Sequence, residues 1–294
     1  MLLAGLAPFL EPYRKKIDRQ ISFCRDRFGS PSPLQEACLS ALQNGGKRFR
    51  PALVWIIADS LGKQADVAEA ALAVEFFHTA SLIADDLPCM DNDDERRNMP
   101  ATHKVYGESV ALLATYALIS AGYHSLARNA QELSRTTHSF AHKSHEICTL
   151  ALENATHNTG VYGATGGQFL DLFSKDFNLE ICKDLIQKKT SSLFELSFVL
   201  GWLYGGGEIA YLENVKKAAA HFGMAFQLAD DLEDIQQDEM AGKKVNLASL
   251  LGLEQTHLLF QEEINHFLKL IKTLGIDESP LKKFAEIVKT CLRR

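Results

Sequence analysis

Two clusters of acidic residues are the part of this 294-residue sequence best suited to chemistry. The first begins at Asp85 and runs to Glu95, and the second runs from Asp230 to Asp234. Each follows an apolar run, so we expect each to lie at the C-terminal end of a helix. Carboxylates there repel one another and face the unfavourable end of the helix dipole. A hard divalent cation would offset that cost, and magnesium commonly takes one or two carboxylates together with substrate phosphates.

A solvated acidic face is the alternative for either cluster taken alone. That alternative is weaker for the pair, because both clusters follow apolar runs. A calcium-binding EF-hand loop is also disfavoured. The first cluster has Asp91 and Asp93 two positions apart, but it lacks the glycine and the terminal glutamate of such a loop.

Basic residues stand apart from the acidic clusters along the chain. Lys47 and Arg50 lie on a glycine-containing turn before a helix expected to begin near Pro51, and backbone amides at a helix start bind anions. Arg96 and Arg97 directly follow the first acidic cluster, and arginine can bind phosphate oxygens through two parallel hydrogen bonds. Further candidates for phosphate binding are Lys189 with Thr190 and Lys243 with Lys244.

His78 lies two helical turns before Asp85 on the same predicted helix face. A buried histidine without a ligand role is the more frequent alternative. Taken together, the acidic clusters, the separate cations and an apolar helical interior predict a site that binds an amphipathic diphosphate through a metal ion. The metal would neutralise the diphosphate, and apolar walls would hold a hydrocarbon tail.

The composition argues against several other classes of protein. A formal net charge of -6 does not favour a nucleic-acid partner. Six cysteines without a CxxC pair indicate reduced thiols in a cytoplasmic protein. The apolar residues 1–10 precede the first basic residues, the reverse of a signal peptide, so we expect the first turns of a packed helix there. No segment is predicted to span or insert stably in a membrane.

The chain is expected to be all-α. Proline is absent between Pro100 and Pro280, which suits long uninterrupted helices. Apolar residues recur at helical spacing in 67–84 and 214–234, which predicts a helix over each segment. Helices are expected to end where glycine and proline cluster, at 28–31, 44–46, 88–100, 160–167 and 205–207.

Six motifs, in this order, resemble those of the trans-isoprenyl diphosphate synthases, the polyprenyl synthetase family that includes farnesyl and geranylgeranyl diphosphate synthases. The two aspartate motifs together are the most specific part of the resemblance. The matching segments are GKRFRP at 46–51, DDLPCMD at 85–91, the arginine pair at 96–97, GGQFLD at 166–171, the Lys-Thr pair at 189–190 and FQLADDLED at 226–234.

The resemblance implies an all-α, single-domain isoprenoid synthase bundle over 1–294. Its long antiparallel helices would surround a deep central cavity, usually in a homodimer. It also implies a magnesium-assisted reaction between isopentenyl diphosphate and an allylic diphosphate. The allylic diphosphate ionises, the double bond of isopentenyl diphosphate attacks the cation, and a proton is lost. The released diphosphate would take that proton, so no side-chain base is required.

The resemblance further implies a role for each matching residue. Isopentenyl diphosphate would be bound by Lys47, Arg50, His78 and Arg97. The allylic diphosphate would be bound by Arg96, Lys189 and a lysine at Lys243 or Lys244. The catalytic residues would be Lys189, Thr190 and Gln227, the last two lying beside the carbocation. Magnesium would be held by Asp85, Asp86, Asp91, Asp230, Asp231 and Asp234.

Several positions depart from the family pattern. Ala84 stands where the family usually has histidine, Thr115–Tyr116 replaces a common Gly-Asp pair, and the segment after Asp234 is short. These departures raise the alternative of a non-catalytic subunit that pairs with an active synthase, although no metal-binding aspartate is missing. A terpene cyclase is disfavoured, because such enzymes lack the cations for isopentenyl diphosphate and usually lack the second DDxxD motif.

The product length is predicted from the residue five positions before the first aspartate. Ala80 stands there and blocks nothing, whereas an aromatic residue would favour the fifteen-carbon product. Phe77 lies one turn deeper and would close the pocket after one more isoprene unit, since a turn spans about 5.4 Å. Geranylgeranyl diphosphate is therefore the preferred prediction, with farnesyl diphosphate as the alternative.

Overall fold

The molecule is built from α-helices that pack side by side. The structure, a computed structural model, describes the backbone of residues 2–174, 178–241 and 246–291 and the side chains of residues 6–174, 178–233 and 246–289. The described α-helices are α1 (Leu2–Ser22), α2 (Pro33–Gln43), α3 (Phe49–Ser60), α4 (Ala68–Asp85), α5 (Thr102–Tyr106), α6 (Glu108–Ser134), α7 (Ser144–Thr159), α8 (Ala164–Phe173), α9 (Leu179–Leu185), α10 (Ser192–Tyr204), α11 (Leu212–Ala241), α12 (Leu247–Leu251), α13 (Leu253–Thr273) and α14 (Ser279–Cys291).

Short segments of other structure join these helices. A π-helical turn, Ile186–Ser191, links α9 to α10. Two strands of two residues each, β1 (Glu95–Arg96) and β2 (Met99–Pro100), form an antiparallel hairpin after α4 that the sequence did not predict. The other short segments are 3-10 turns at Arg25–Phe28, Ala141–Lys143 and Ile209–Tyr211. The predicted all-α class is confirmed, because the hairpin is the only strand structure among the described residues.

The helix α10 lies inside the bundle. Every residue from Ser192 to Tyr204 except Glu195 is buried, and a helix that is apolar all round must be covered on every side. The carboxylate of Glu195 is tolerated because the side-chain amides of Asn154 and Asn158 donate to its Oε1 at 2.8 and 3.0 Å. α10 packs against α3, α4, α7 and α11, so it holds the motif-bearing helices α3, α4 and α11 around one core.

The predicted helices are present, with differences at their ends. α4 ends at Asp85, as expected. The helix expected near Pro51 begins at Phe49, because proline is tolerated in the first helical turn. The prediction that the second acidic cluster ends a helix is wrong, because α11 continues past Asp234 to Ala241. The seven residues after Asp234 contain no glycine or proline that would stop it.

The helices α1 and α6 are relevant to the prediction that no segment spans a membrane. α1 buries Leu6 and Leu10, as expected for an N-terminal helix that packs on the core. α6 is long and apolar enough, by length and composition alone, to cross a membrane, and 39% of that stretch is buried. In the structure α6 packs against α4, α2 and α7, so one of its faces forms part of the bundle.

Candidate active site

The first acidic cluster forms where α4 ends. The backbone N–H of Asp91 donates to the carbonyl oxygen of Asp85 at 2.9 Å, so the loop turns back and brings the two residues together. Burial raises the pKa of Asp85 to about 6; Lys189 opposes this rise, and the charge of Asp91 adds to it. A cation bound by these two carboxylates would relieve their repulsion.

Asp86 has a different partner. It is 2% exposed, and it accepts hydrogen bonds from Nε of Arg96 at 2.8 Å and from a terminal nitrogen of the same guanidinium. Burial raises the pKa of Asp86, and the hydrogen bond from Arg96 opposes that rise. Asp86 therefore orients Arg96 in this structure, and the metal-binding role predicted for Asp86 stays a prediction. Consecutive residues in a helical conformation point about 100° apart, so Asp85 and Asp86 face different surroundings.

The second acidic cluster is tied to two other segments through Asp231. This residue is 7% exposed and accepts hydrogen bonds from the Gln227 side-chain amide at 2.8 Å and from the Leu247 backbone N–H at 3.1 Å. The side-chain oxygen of Gln227 accepts in turn from the Thr190 hydroxyl at 2.9 Å. The predicted catalytic pair Thr190 and Gln227 is therefore in direct contact. The side chain of Asp234 and the whole of Lys243 and Lys244 lie outside the described residues.

Lys189 connects the first acidic cluster to α8. Its Nζ lies 2.6 Å from Oδ2 of Asp171, and its charge acts on Asp85. Gln168, one turn before Asp171 on α8, donates to Oδ1 of Asp91 at 3.4 Å. Residues from the C-terminal end of α4 and the loop after it, from α8 and from the π-helical turn thus meet, although they are far apart in the sequence.

A second group of cations lies near His78 and shares Arg96 with the acidic group. Burial holds the pKa of His78 well below its usual value, and the nearby guanidinium groups of Arg50, Arg97, Arg48 and Arg96 lower it further. The imidazole is therefore neutral near pH 7. A neutral histidine among arginines can donate a hydrogen bond to an anion without adding to the repulsion between the cations.

Arg50 lies within this group in an environment that favours an incoming anion. Its guanidinium carbon lies 4.8 Å from the centre of the Phe194 ring, and its Nε is buried without a hydrogen-bond acceptor among the described residues. Burial lowers the pKa of Arg50 to about 10, although the charges of Glu75 and Asp230 oppose this. A phosphate oxygen would supply both the missing acceptor and the missing charge.

Arg97 is presented by the turn of the hairpin. Arg97 and Asn98 have φ values of 58° and 62°, as in two-residue hairpin loops. The Nη1 nitrogen of Arg97 donates to the carbonyl oxygen of Gly45 at 2.5 Å. A Cβ atom at Gly46 would lie 2.5 Å from that nitrogen, so glycine leaves room for the guanidinium. Lys47 follows and is exposed, so the hairpin and the glycine turn place Arg97 and Lys47 near each other.

Sequence reasoning missed the residues that hold this glycine turn. Arg48 is 4% exposed and donates from Nε to Asp18 at 2.9 Å, from Nη1 to Glu75 at 2.5 Å and from Nη2 to the Leu42 carbonyl oxygen at 2.6 Å. Glu75 is itself 1% exposed. A glutamate within the apolar run before Asp85 was the available signal, since a buried charge needs a partner.

The acidic residues fit magnesium by their chemistry. Among the side chains that the structure describes, no three His, Cys, Asp or Glu residues stand ready around one point to hold a metal. Magnesium does not require this, because it binds through one or two carboxylates with waters and substrate phosphates. Asp85 and Asp91 supply two neighbouring carboxylates, and the raised pKa of Asp85 indicates that added positive charge there is favourable. The donor set suits a divalent cation that binds together with a diphosphate.

Comparison with known proteins agrees with this geometry. The family model described as polyprenyl synthetase matches residues 31–247, which is most of the chain. This chain belongs to the polyprenyl synthetase family. The resemblance predicted from the sequence is thereby confirmed, and so is the class of enzyme, a prenyltransferase. Enzymes of the polyprenyl synthetase family use prenyl diphosphates as substrates and divalent metal ions as cofactors.

Two curated relatives illustrate the range of the polyprenyl synthetase family. The chain is 30% identical over 296 residues to the farnesyl diphosphate synthase of Bacillus subtilis strain 168, covering 96% of this chain and 97% of the relative. It is 39% identical over 249 residues to the heterodimeric geranylgeranyl pyrophosphate synthase large subunit 2 of Arabidopsis thaliana, covering 82% of this chain. This match spans 63% of the plant protein's length.

Solved structures show the same fold. An FPP/GFPP synthase from Zymomonas mobilis matches with a TM-score of 0.80 and 28% identity, covering 97% of this chain and 99% of that structure. A geranyltransferase from Legionella pneumophila matches with a TM-score of 0.79 and 23% identity, over 99% of this chain and 98% of that structure, and supports the fold alone. The all-α isoprenoid synthase fold predicted from the motifs is confirmed.

Proposed function

We propose that this prenyltransferase is magnesium-dependent and makes geranylgeranyl diphosphate from isopentenyl diphosphate and the allylic dimethylallyl, geranyl or farnesyl diphosphates. The observation that carries the proposal is that the described side chains form two neighbouring groups whose charges suit anions. The carboxylates with Lys189 suit a diphosphate bound through metal, and the cations around His78 suit a diphosphate bound by side chains alone. Two diphosphates bound near each other are what a condensation between two such substrates requires.

The allylic diphosphate is assigned to the acidic group. Bound magnesium would neutralise the leaving diphosphate as its bond to carbon breaks. Lys189 and Arg96 bind the same diphosphate, and Asp86 holds Arg96 in place. Lys243 or Lys244 is proposed as a further cation there. The residues proposed to hold magnesium are Asp85, Asp91, Asp230, Asp231 and Asp234.

Isopentenyl diphosphate is assigned to the group around the neutral His78. Its other proposed contacts are Lys47, Arg50 and Arg97. Thr190 and Gln227 lie beside the allylic cation, where their oxygen atoms stabilise positive charge. The hydrogen bond from the Gln227 amide to Asp231 keeps the Gln227 oxygen turned towards Thr190. The released diphosphate takes the proton lost in the last step.

The proposed product length depends on the residues of α4 that precede its acidic C-terminal end. Ala80 is small and 2% exposed, and Phe77 one turn earlier is 3% exposed. The Phe77 ring lies 5.0 Å from that of Tyr123, and a Cβ atom at Gly122 would lie 2.7 Å from it. Phe77 therefore fills the space beside α6 and would form the floor that limits the growing chain.

Two substitutions test this assignment by product chromatography from dimethylallyl and isopentenyl diphosphates with magnesium. We expect Ala80→Phe to shorten the main product to fifteen carbons, because its ring would occupy the pocket one turn before Phe77. Phe77→Ala should lengthen the product. A fifteen-carbon main product from the unchanged protein would instead support a farnesyl diphosphate synthase. No turnover by the chain alone, restored by a partner synthase, would support the non-catalytic subunit.

A homodimer is proposed from one face of α6. Leu112, Leu113 and Tyr116 lie on this face and are 41%, 50% and 57% exposed. Large apolar side chains clustered on one helix face are unfavourable in water, and a two-fold axis would let the same face of a second copy cover them.

The oligomeric state is checked by sedimentation velocity. We expect the unchanged protein to sediment as a dimer and the double variant Leu113→Lys/Tyr116→Lys to sediment as a monomer. Phe23→Lys is the matched control, because Phe23 is 72% exposed and lies outside α6, so this variant should remain a dimer. A monomer for the unchanged protein would contradict the proposal.

Residues 1–294 are proposed to form one polyprenyl synthetase domain. The N-terminal helix α1 packs against the C-terminal helix α14, and both pack against α3. The two ends of the described chain therefore belong to one core. A cytoplasmic location is proposed as well, since the described cysteines are free thiols.

A further inference from the structure

Lys189 and Thr190 lie on the π-helical turn Ile186–Ser191, hereafter the π-turn. A π-turn holds an extra residue compared with an α-helical turn, and π-turns occur frequently at functional sites. One extra residue rotates the following side chains by about 100° relative to a continuous α-helix. In this arrangement Lys189 reaches Asp171 on α8 at 2.6 Å and Thr190 reaches Gln227 on α11 at 2.9 Å. The π-turn thus sets the directions of two neighbouring side chains that contact different helices.

Two glycines on these same helices contact the π-turn. A Cβ atom at Gly167 of α8 would lie 2.5 Å from the backbone nitrogen of Lys189 and 2.7 Å from its Cα. A Cβ atom at Gly223 of α11 would lie 2.5 Å from Oγ of Ser191 and 2.8 Å from both its Cα and its Cβ, and Ser191 is 0% exposed. Backbone atoms cannot rotate away as the end of a side chain can. An added methyl group would therefore push the π-turn away from α8 or α11.

Neither glycine is explained by backbone conformation. Gly167 and Gly223 are absent from the positive-φ residues, and both lie inside helices, where glycine is less favourable than alanine by about 1 kcal/mol. The close approach to the π-turn is the feature that the two positions share.

We infer that Gly167 and Gly223 are positioning residues, forming a two-glycine slot that holds the π-turn at the depth where Lys189 and Thr190 reach their partners. This inference rests on the proposed function for its kinetic consequences. A methyl group added at either glycine would push the π-turn out of the slot. Lys189 would then lie farther from the leaving diphosphate, and Thr190 would lie farther from the cation. The group around His78, which binds isopentenyl diphosphate in our proposal, would be left in place.

Steady-state kinetics on the full chain test the slot. We expect Gly167→Ala and Gly223→Ala each to lower kcat by about 10-fold or more, while KM for isopentenyl diphosphate changes by less than about 2-fold. Gly205→Ala is the matched control. Its added Cβ would lie 2.9 Å from Cα of Ala58 on α3, so it crowds the backbone away from the π-turn. This control should lower the melting temperature and leave kcat within about 2-fold.

A double-mutant cycle separates positioning from general loosening. If the slot acts through Lys189, the substitution Lys189→Met should lower kcat much less in the Gly167→Ala background than in the unchanged protein. Additive effects, or equal losses in kcat and in affinity for isopentenyl diphosphate, would overturn the inference. If Gly223→Ala folds poorly, Gly223→Ala/Ser191→Gly should recover at least about 5-fold in kcat or in folded yield, because it removes Cβ and Oγ, two of the three Ser191 atoms nearest to the added methyl, and leaves Cα.

Hydrogen exchange measured by mass spectrometry tests the two-glycine slot without depending on enzymatic activity. Peptides covering the π-turn should exchange faster in Gly167→Ala than in Gly205→Ala. If the unchanged protein showed no turnover, that result would count against the proposed function alone. The exchange comparison would still test whether the two glycines hold the π-turn in place. Equal exchange in both variants would overturn it.

Discussion

The Asp85→Asn variant should lose about 100- to 1,000-fold in kcat, a loss as large as that from removing one oxyanion-hole donor, because the magnesium that neutralises the leaving diphosphate would be bound less well. Asparagine has nearly the same shape as aspartate, so the end of α4 should be retained while the charge beside Asp91 is removed. The magnesium concentration that gives half the maximal rate should rise. Turnover of dimethylallyl and isopentenyl diphosphates, measured over a range of magnesium concentrations, checks both expectations.

Asp86→Asn is the matched control for this prediction, because it makes the same chemical change at the adjacent position. Asp86 binds Arg96, so its loss should weaken binding of the allylic diphosphate and raise KM for that substrate. The magnesium requirement should stay close to that of the unchanged protein. If Asp86→Asn raised the magnesium requirement as strongly as Asp85→Asn, the division of roles between the two aspartates would be wrong.

The Arg48→Met variant is expected to lose about 3–5 kcal/mol of unfolding free energy, because it leaves the buried charge of Glu75 without its partner. The side chains of Arg48 and Glu75 are 2% and 1% exposed. Urea unfolding measures the loss. KM for isopentenyl diphosphate should rise as well, since the turn that carries Lys47 and Arg50 would lose its anchor to α1, α2 and α4.

Two further variants separate stability from positioning. Lys216→Met removes an ion pair with Glu213, whose side chains are 34% and 73% exposed, and should lose less than about 1 kcal/mol. Arg48→Met/Glu75→Leu removes both buried charges, so it should recover much of the stability lost in Arg48→Met alone. Its KM for isopentenyl diphosphate should remain raised. A normal KM in this stable double variant would show that Arg48 does not position the turn.

The parts of the molecule that follow from local chemistry were predictable from the sequence. Periodic apolar residues predicted α4 and α11, and α4 ends at Asp85 as expected. The predicted residues Asp85, Asp91 and Lys189 interact electrostatically in the structure. The first aspartate motif could be located because it begins where α4 ends, whereas the second lies inside α11 and was identified from its resemblance to the family motif.

Other features depend on backbone geometry that leaves no pattern in the sequence. Lys47 and Arg48 are adjacent cations, yet Lys47 is exposed and Arg48 is buried with a φ of 50°, so the two side chains diverge. The pairing of Asp86 with Arg96 depends on the unpredicted hairpin that returns Arg96 to the end of α4. The π-turn differs from an α-helical turn by one residue, and no residue type marks that insertion.

The backbones of the two aspartate motifs are held in different ways. Asp230 and Asp231 lie within a continuous helix of 30 residues, whereas Asp91 lies on a loop fastened to Asp85 by a backbone hydrogen bond. A helix cannot alter the spacing of its side chains without breaking several hydrogen bonds, but a loop can move at much lower cost. In our proposal, the carboxylates of α11 are therefore the half of the magnesium site with fixed spacing, and Asp91 belongs to the half that can adjust to its ligand. Primers of increasing length would present the same diphosphate group to the same α11 carboxylates, so one site would serve each round of elongation.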